Sequence, residues 1–381
     1  MGDVVTRVIA PAGVAPSRGL PDYDVRVSAT PVTESHLRDA RRDRVRGCLL
    51  GLAVGDAYGA PLEFMRRREI ASRFGTDGPD ELSAWGGGPG GRFTDDTQMS
   101  VATARGLLDW RATSGWRRGG AVDHEALARA VKRRYVAWYR SEQWRGRGPG
   151  TTCLEALRSG APVDSKGCGG VMRVAPLGCA GLGGDAFEAG VRAAAITHGD
   201  PTSDAASGFQ ALLVDGLVGG VGLSTAVAAA RDAMAQWPAS RDAAERSDGV
   251  RRVLEQRTAS RDALEAVDAA VALASDDSID TYEAIGRVGH VGAETPDAGG
   301  KGWVAEEALG IGLLCALRFA GDFAAALRAA AVVSGDSDST ASIAGAIVGA
   351  AAGLGCIPHP WLDAVEDRDE LLELADELAG G

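Results

Sequence analysis

Residues 334–350 read SGDSDSTASIAGAIVGA, an acidic, hydroxyl-rich segment that runs straight into a small-residue apolar one. Read as D-x-D-x-T after an apolar strand, it would make Asp336 the attacking carboxylate of an aspartate-dependent phosphatase. That loop normally opens its fold, whereas here only about 40 residues follow it, too few for the remaining α/β layers. An EF-hand fails as well, because its glycine and its final glutamate would fall on Ala341 and Ile347. What is left is the start of a buried helix. Asp, Ser and Thr cap free N–H groups, and the longest apolar run of the chain, 341–357, supplies the body.

The same grammar occurs upstream, where Thr94-Asp95-Asp96-Thr97 leads into a helical pattern over 97–110. Further Ala-rich amphipathic stretches lie at 46–55, 124–139, 185–195, 203–218, 224–236, 303–320 and 323–333, and alternating strand-like runs are almost absent. With only 5% aromatic residues, these elements must pack closely through Ala, Val, Leu and Gly. The class expected is all-α.

Residues 1–34 carry Pro and Gly without helical period and are expected to form a flexible N-terminal arm. The folded part should begin near Thr33 and run as one large domain over 35–375, with the charged stretch 237–264 as a surface insertion. A formal charge of −12 without a Lys/Arg tract argues against nucleic-acid or anionic-membrane partners. Six single cysteines without a C-x-x-C pair, and no leader pattern, suggest a cytoplasmic location.

Each acidic cluster has two carboxylates plus hydroxyls, and the second lies between apolar runs that belong to a core. Carboxylates gathered in such surroundings repel one another and lose hydration. Hard divalent cations relieve that conflict through Asp, Ser and Thr oxygens, so metal binding is favoured over capping alone.

Six motifs in order, RGCLLGLAVGDAYGAPLEF (46–64), FTDDTQMS (93–100), KGCGGVMRVAPLG (166–178), THGDPTS (197–203), GGKGWVAEEAL (299–309) and SGDSDSTASIAGAIVGA, resemble the ADP-ribosylglycohydrolase family. The resemblance implies a multi-helix orthogonal bundle with two divalent cations, Mg²⁺ or Mn²⁺, at the floor of a cleft. By matching position, Thr94, Asp95, Asp96, Asp336, Asp338 and Ser339 would be the metal ligands. Glu63 would be a ligand or acid/base, with Asp95 and Asp96 sharing the catalytic work. Gly167, Cys168, Gly169 and Gly170 would lie along ADP-ribose, their N–H groups turned to phosphate, while His198 would bond ribose or diphosphate. Trp303 would wall the nucleotide pocket. Cys168 is expected to pack rather than attack, and Asp56 to form a structural salt bridge, with Arg173 as its partner.

The activity so implied is hydrolysis of the bond between ADP-ribose and a modified protein side chain, leaning to arginine, with an ADP-ribosylated protein as substrate. The competing reading is an immunity protein whose arm blocks an ADP-ribosyltransferase toxin. A vestigial, non-catalytic relative is disfavoured because no ligand carboxylate is missing.

Overall fold

The computed structural model describes residues 33–241, 249–288 and 302–380. In chain order the helices are α1 (Glu34–Gly59), α2 (Arg67–Phe74), α3 (Asp95–Ser114), α4 (His124–Ser141), α5 (Thr151–Ser159), α6 (Ala175–Gly178), α7 (Asp185–Ala194) and α8 (Pro201–Val218). They continue as α9 (Leu223–Arg241), α10 (Gly249–Ala274), α11 (Thr281–Val288), α12 (Ala305–Arg318), α13 (Phe323–Ala331), α14 (Ser337–Ala352), α15 (His359–Ala364) and α16 (Arg368–Ala379). Among the described residues there is no strand, only isolated bridges such as Gly167 with Val304. The all-α expectation is met, and the phosphatase alternative fails on structure too, because α13 rather than a strand precedes Asp336.

Most of the expected arm lies outside the described residues. Its last two positions are already the cap and first residue of α1, where the Thr33 hydroxyl accepts from the His36 N–H. The stretch 237–264 falls on the end of α9 and the first part of α10, with Trp237 and Ala263 buried. The buried helix expected over 341–357 ends early, at Ala352, because Gly353 turns with φ of 82° into a short 3-10 turn.

The bundle is organised on α1 and α14, which run antiparallel in its centre. Gly47, Gly51, Gly55 and Gly59 repeat every four residues along α1 and face Gly349, Gly345, Ala341 and Ser337 of α14, which repeat with the same period. A Cβ on Gly51 would stand 2.3 Å from the Gly345 carbonyl oxygen, and one on Gly345 would stand 2.1 Å from that of Gly51. The backbones therefore touch directly, with Cα–H groups against carbonyls, and no side chain larger than hydrogen fits at the four glycines of α1. This contact sets the end of α1 beside the start of α14 and so brings residues 59–64 against 335–338.

At the other end of α1, Arg42 and Arg46 clamp Asp376 of α16: both guanidinium groups donate twice to its carboxylate, Arg46 at 2.6 Å to each oxygen. The Arg42 and Arg46 donors hold the Asp376 carboxyl below its ordinary value. A depressed folded value gives stability that is present above the unfolded value near 4 and is lost as pH falls through the folded one. Asp376→Asn should therefore lower the melting temperature at pH 7 by roughly 1–2 °C, an amount limited by solvent screening. A melting series should show that difference closing below pH 3 or so.

Candidate active site

Three helix ends meet around Asp56, which is fully buried in α1. Its Oδ1 accepts from the Thr94 N–H at 2.9 Å, and its Oδ2 accepts from the Thr97 N–H at 2.9 Å and the Thr97 hydroxyl at 2.6 Å. Asp56 thus anchors the first turn of α3 and carries Asp95 and Asp96 to the place where Gly59 has already brought α14. The expected salt bridge to Arg173 is not formed. The Arg173 guanidinium instead donates to Thr197 Oγ1 at 2.6 Å and the Ala193 carbonyl at 3.2 Å, and lies over the Tyr135 ring.

Both acidic clusters are helix caps: Thr94 Oγ1 accepts from the Asp96 N–H and Asp336 Oδ1 from the Ser339 N–H. They are also one site. The Ser339 hydroxyl donates to Asp96 Oδ2 at 2.9 Å, joining residues 243 positions apart, and the Cys168 thiol donates to Asp336 Oδ2 at 2.9 Å. Asp95, Asp96, Asp336 and Asp338 are each no more than 5% exposed. Asp95 Oδ2 is buried without a hydrogen-bond partner.

Burial pushes every one of these acids up, and repulsion among the carboxylates adds to it for all but Asp338. Asp56 rises to about 7, Asp95 to about 8 and Glu63 to about 10, while Asp96 and Asp336 lie well above the usual carboxylate range. Asp338 is raised by burial and pulled back by hydrogen bonds, among them one with Thr94.

A polypeptide gains nothing for its stability from such crowding. Among the described residues no three Asp, Glu, His or Cys side chains stand as a ready-made metal cage, since Asp96 and Asp336 are held by Ser339 and Cys168. The donor chemistry nevertheless fits a hard cation. The oxygens come from carboxylates and hydroxyls, and one carboxylate oxygen, Asp95 Oδ2, is orphaned.

Above this floor opens a cavity of about 470 Å³, lined by Glu63, Phe64, Asp95, Asp96, Asp336 and Asp338, by Gly148–Thr152 and by Ser165–Gly169, His198 and Trp303. That is the size range of a small-ligand pocket. Of the expected site residues, Thr94 lies beneath the wall rather than on it. Gly170 does not line the cavity either, because a Cβ there would meet Ser203 and Ser207 of α8. The expected presentation of N–H groups by this loop is corrected at two positions: the Gly167 N–H already donates to Ser165 Oγ and the Cys168 N–H to the Trp303 carbonyl. His198 is neutral, since burial and then Arg173 bring it down to about 3, and its Nδ1 pairs with Thr197 Oγ1 at 2.8 Å.

Cys168 is a donor to Asp336, and burial together with that carboxylate pushes its thiol well up. It is therefore no thiolate nucleophile. Cys168→Ala should keep activity within about tenfold, and a loss beyond a hundredfold in kcat would instead make the sulfur a reactant.

Sequence reasoning did not single out Phe64 or Met172 as site residues. It marks Gly146–Gly150 as a Gly-rich loop whose backbone can approach a ligand, but no local pattern tells that the Arg147 carbonyl within it accepts from the Asp95 N–H.

A family model described as ADP-ribosylglycohydrolase matches residues 37–381, and the chain belongs to that family. It is 35% identical over 192 residues to ADP-ribosyl-[dinitrogen reductase] glycohydrolase of Rhodospirillum rubrum, a match covering 48% of this chain and 60% of that one. It is 34% identical over 140 residues to ADP-ribosylarginine hydrolase Tri1 of Pseudomonas putida (strain GB-1), covering 33% of each. The matches thus span 60% and 33% of the length of these curated relatives, less than two thirds of either. A solved structure titled ADP-ribosylglycohydrolase-related protein complex superposes with a TM-score of 0.58 at 26% identity, covering 90% of this chain and 99% of that one.

Proposed function

We propose that the protein hydrolyses the glycosidic bond joining ADP-ribose to an arginine side chain of a modified protein, with two divalent cations, Mg²⁺ or Mn²⁺, as cofactors. The observation that carries this is the Ser339–Asp96 bond, which closes two distant acidic helix ends into one buried floor under a cavity of substrate size. The family and the two named relatives support the reaction class, and the Pseudomonas relative's name supports arginine.

Breaking the bond at C1 of the distal ribose builds oxocarbenium-like positive charge, and the departing side chain needs a proton. Asp95, Asp96, Asp336, Asp338, Thr94 and Ser339 would hold the cations, which supply charge and fix the sugar hydroxyls and the attacking water. Glu63 lies on the cavity wall, where burial favours the protonated form of its carboxyl, so it is placed to give a proton to the leaving group. The aspartate floor opposes the developing positive charge on the ribose. Neutral His198 and the Trp303 ring serve to hold the nucleotide.

Glu63→Gln should lower kcat by about 10²–10⁴ with little change in KM, the mark of an interaction made in the transition state. The assay that tests the function is release of free ADP-ribose from matched arginine- and serine-linked substrates. Turnover of the arginine linkage is expected. Exclusive turnover of the serine linkage would reverse the assignment of the leaving group.

Among the described residues no helix is long and apolar enough to cross a membrane. The immunity alternative rests on the arm, of which residues 1–32 lie outside the described residues.

A further inference from the structure

Phe64 is an anomaly at the mouth of the cavity. Its side chain is 74% exposed, the most exposed of the large hydrophobic residues, and its backbone sits at φ of 65°, where a residue with a Cβ is strained. It is held there by its own N–H, which donates to the Gly335 carbonyl, and its ring lies 5.3 Å from that of Trp303. An exposed, strained aromatic packed against a second one is the kind of anchor that protein interfaces use.

One residue further on, after Met65, come Arg66, Arg67 and Arg68, all exposed, in a chain whose net charge is −12. Arg67 is committed to the fold. Its N–H donates to Ser334 Oγ at 2.7 Å and its guanidinium lies 3.4 Å over the Tyr282 ring. That attachment pins the triplet two residues from Asp336. The Arg66 backbone is engaged, its N–H donating to Glu69 and its carbonyl accepting from the Glu69 and Ile70 N–H groups, but among the described residues neither Arg66 nor Arg68 has a side-chain ion pair. Two guanidinium groups thus face solvent two and four residues along the chain from the exposed ring that lines the cavity.

We propose that Phe64, Arg66 and Arg68 form a docking surface for an acidic polypeptide segment flanking the ADP-ribosylated residue of the substrate. This rests on the proposed hydrolase reading and deepens it to a substrate class. The net charge of −12 disfavours such a segment over the protein as a whole, so a local basic patch beside Phe64 sets both the partner and the register in which it approaches. A nucleic-acid partner is disfavoured by the same overall charge and by the small extent of the patch.

The test compares wild type with the double variant Arg66→Glu/Arg68→Glu on three substrates. These are ADP-ribosyl-arginine itself and two peptides carrying it between Asp/Glu or between Lys flanks. The account expects kcat/KM for the acidic peptide to fall about tenfold, chiefly through KM, with the Lys-flanked peptide gaining and the small substrate unchanged within twofold. The wild-type preference for the acidic peptide should shrink as salt is raised. Equal effects on all three substrates, or none on the acidic peptide, would overturn it.

A binding arm, using fluorescence polarisation of the unmodified acidic peptide and of a single-stranded oligonucleotide of equal charge, works without turnover. The variant should lose affinity for the peptide. Unchanged peptide affinity, or tighter binding of the oligonucleotide by wild type, would overturn the docking surface. Absence of hydrolysis of every substrate by wild type would instead count against the enzymatic reading.

Discussion

Asp95→Asn is expected to remove turnover, by about a thousandfold or more, and in the same protein to raise the melting temperature in chelator-containing buffer. The two effects share one cause. Asp95 is buried, one of its oxygens has no hydrogen-bond partner, and its carboxyl is pushed up to about 8 by burial and by Asp338 and Asp56. The amide keeps the shape and removes the repulsion. It forfeits a favourable charge at the first turn of α3, worth roughly 0.3–1 kcal/mol, which is less than the relief expected from a shift of this size. An acid that served the fold would behave in the opposite way. Thermal melts with chelator present and assays with Mg²⁺ or Mn²⁺ should therefore move in opposite directions. A variant that is both inactive and less stable would mean that Asp95 acts as a structural cap.

Gly51→Ala should be strongly destabilising for a change of a single methyl group. Alanine in an exposed helix interior normally improves on glycine by about 1 kcal/mol. Here the added carbon would lie 2.3 Å from the Gly345 carbonyl oxygen and 3.0 Å from its carbon, both backbone atoms of a buried helix that has no room to withdraw. Pushing α1 off α14 also moves the start of α14 away from Glu63. A loss of roughly 3 kcal/mol or more is expected, read as a lower denaturation midpoint or as failure to accumulate soluble protein. An unchanged midpoint would show that the two helices do not meet as closely as described.

The contrast between these two positions shows what the amino-acid sequence carries openly. The acidic clusters were legible because Asp-rich helix starts are both caps and oxygen donors, and the structure makes them both at once. Their union was not legible. It depends on the Ser339 hydroxyl reaching Asp96 and on Asp56 tying down the first turn of α3, and pairings across such distances leave no local pattern.

The glycines of α1 were in plain view, spaced by four from Gly47 to Gly59, with small residues at the same spacing from Ser337 to Gly349. That period is a statement about backbone contact, but reading it requires knowing that the two stripes face each other. Helix α2 and helices α15 and α16 were missed because they are short or highly charged. Their places are set by contacts such as the Asp376 clamp rather than by a long apolar stripe.

Cys168 and the Gly167–Gly170 loop illustrate the limit of matching by position. The motif locates the segment on the cavity wall, yet the bridge to Val304 consumes the Cys168 N–H, Ser165 takes that of Gly167, and Gly170 turns towards α8. On the proposed function, diphosphate recognition would draw on the remaining groups of the wall, Gly169 and neutral His198 among them.

The most direct test of the account is release of free ADP-ribose from ADP-ribosyl-arginine by protein stripped with a chelator and then supplied with Mn²⁺ or Mg²⁺. Activity should disappear on stripping, return in full on adding the ion, and fail to return in Asp338→Ala. Undiminished hydrolysis by the stripped wild-type protein would contradict the claim that the two acidic helix ends work by holding divalent cations.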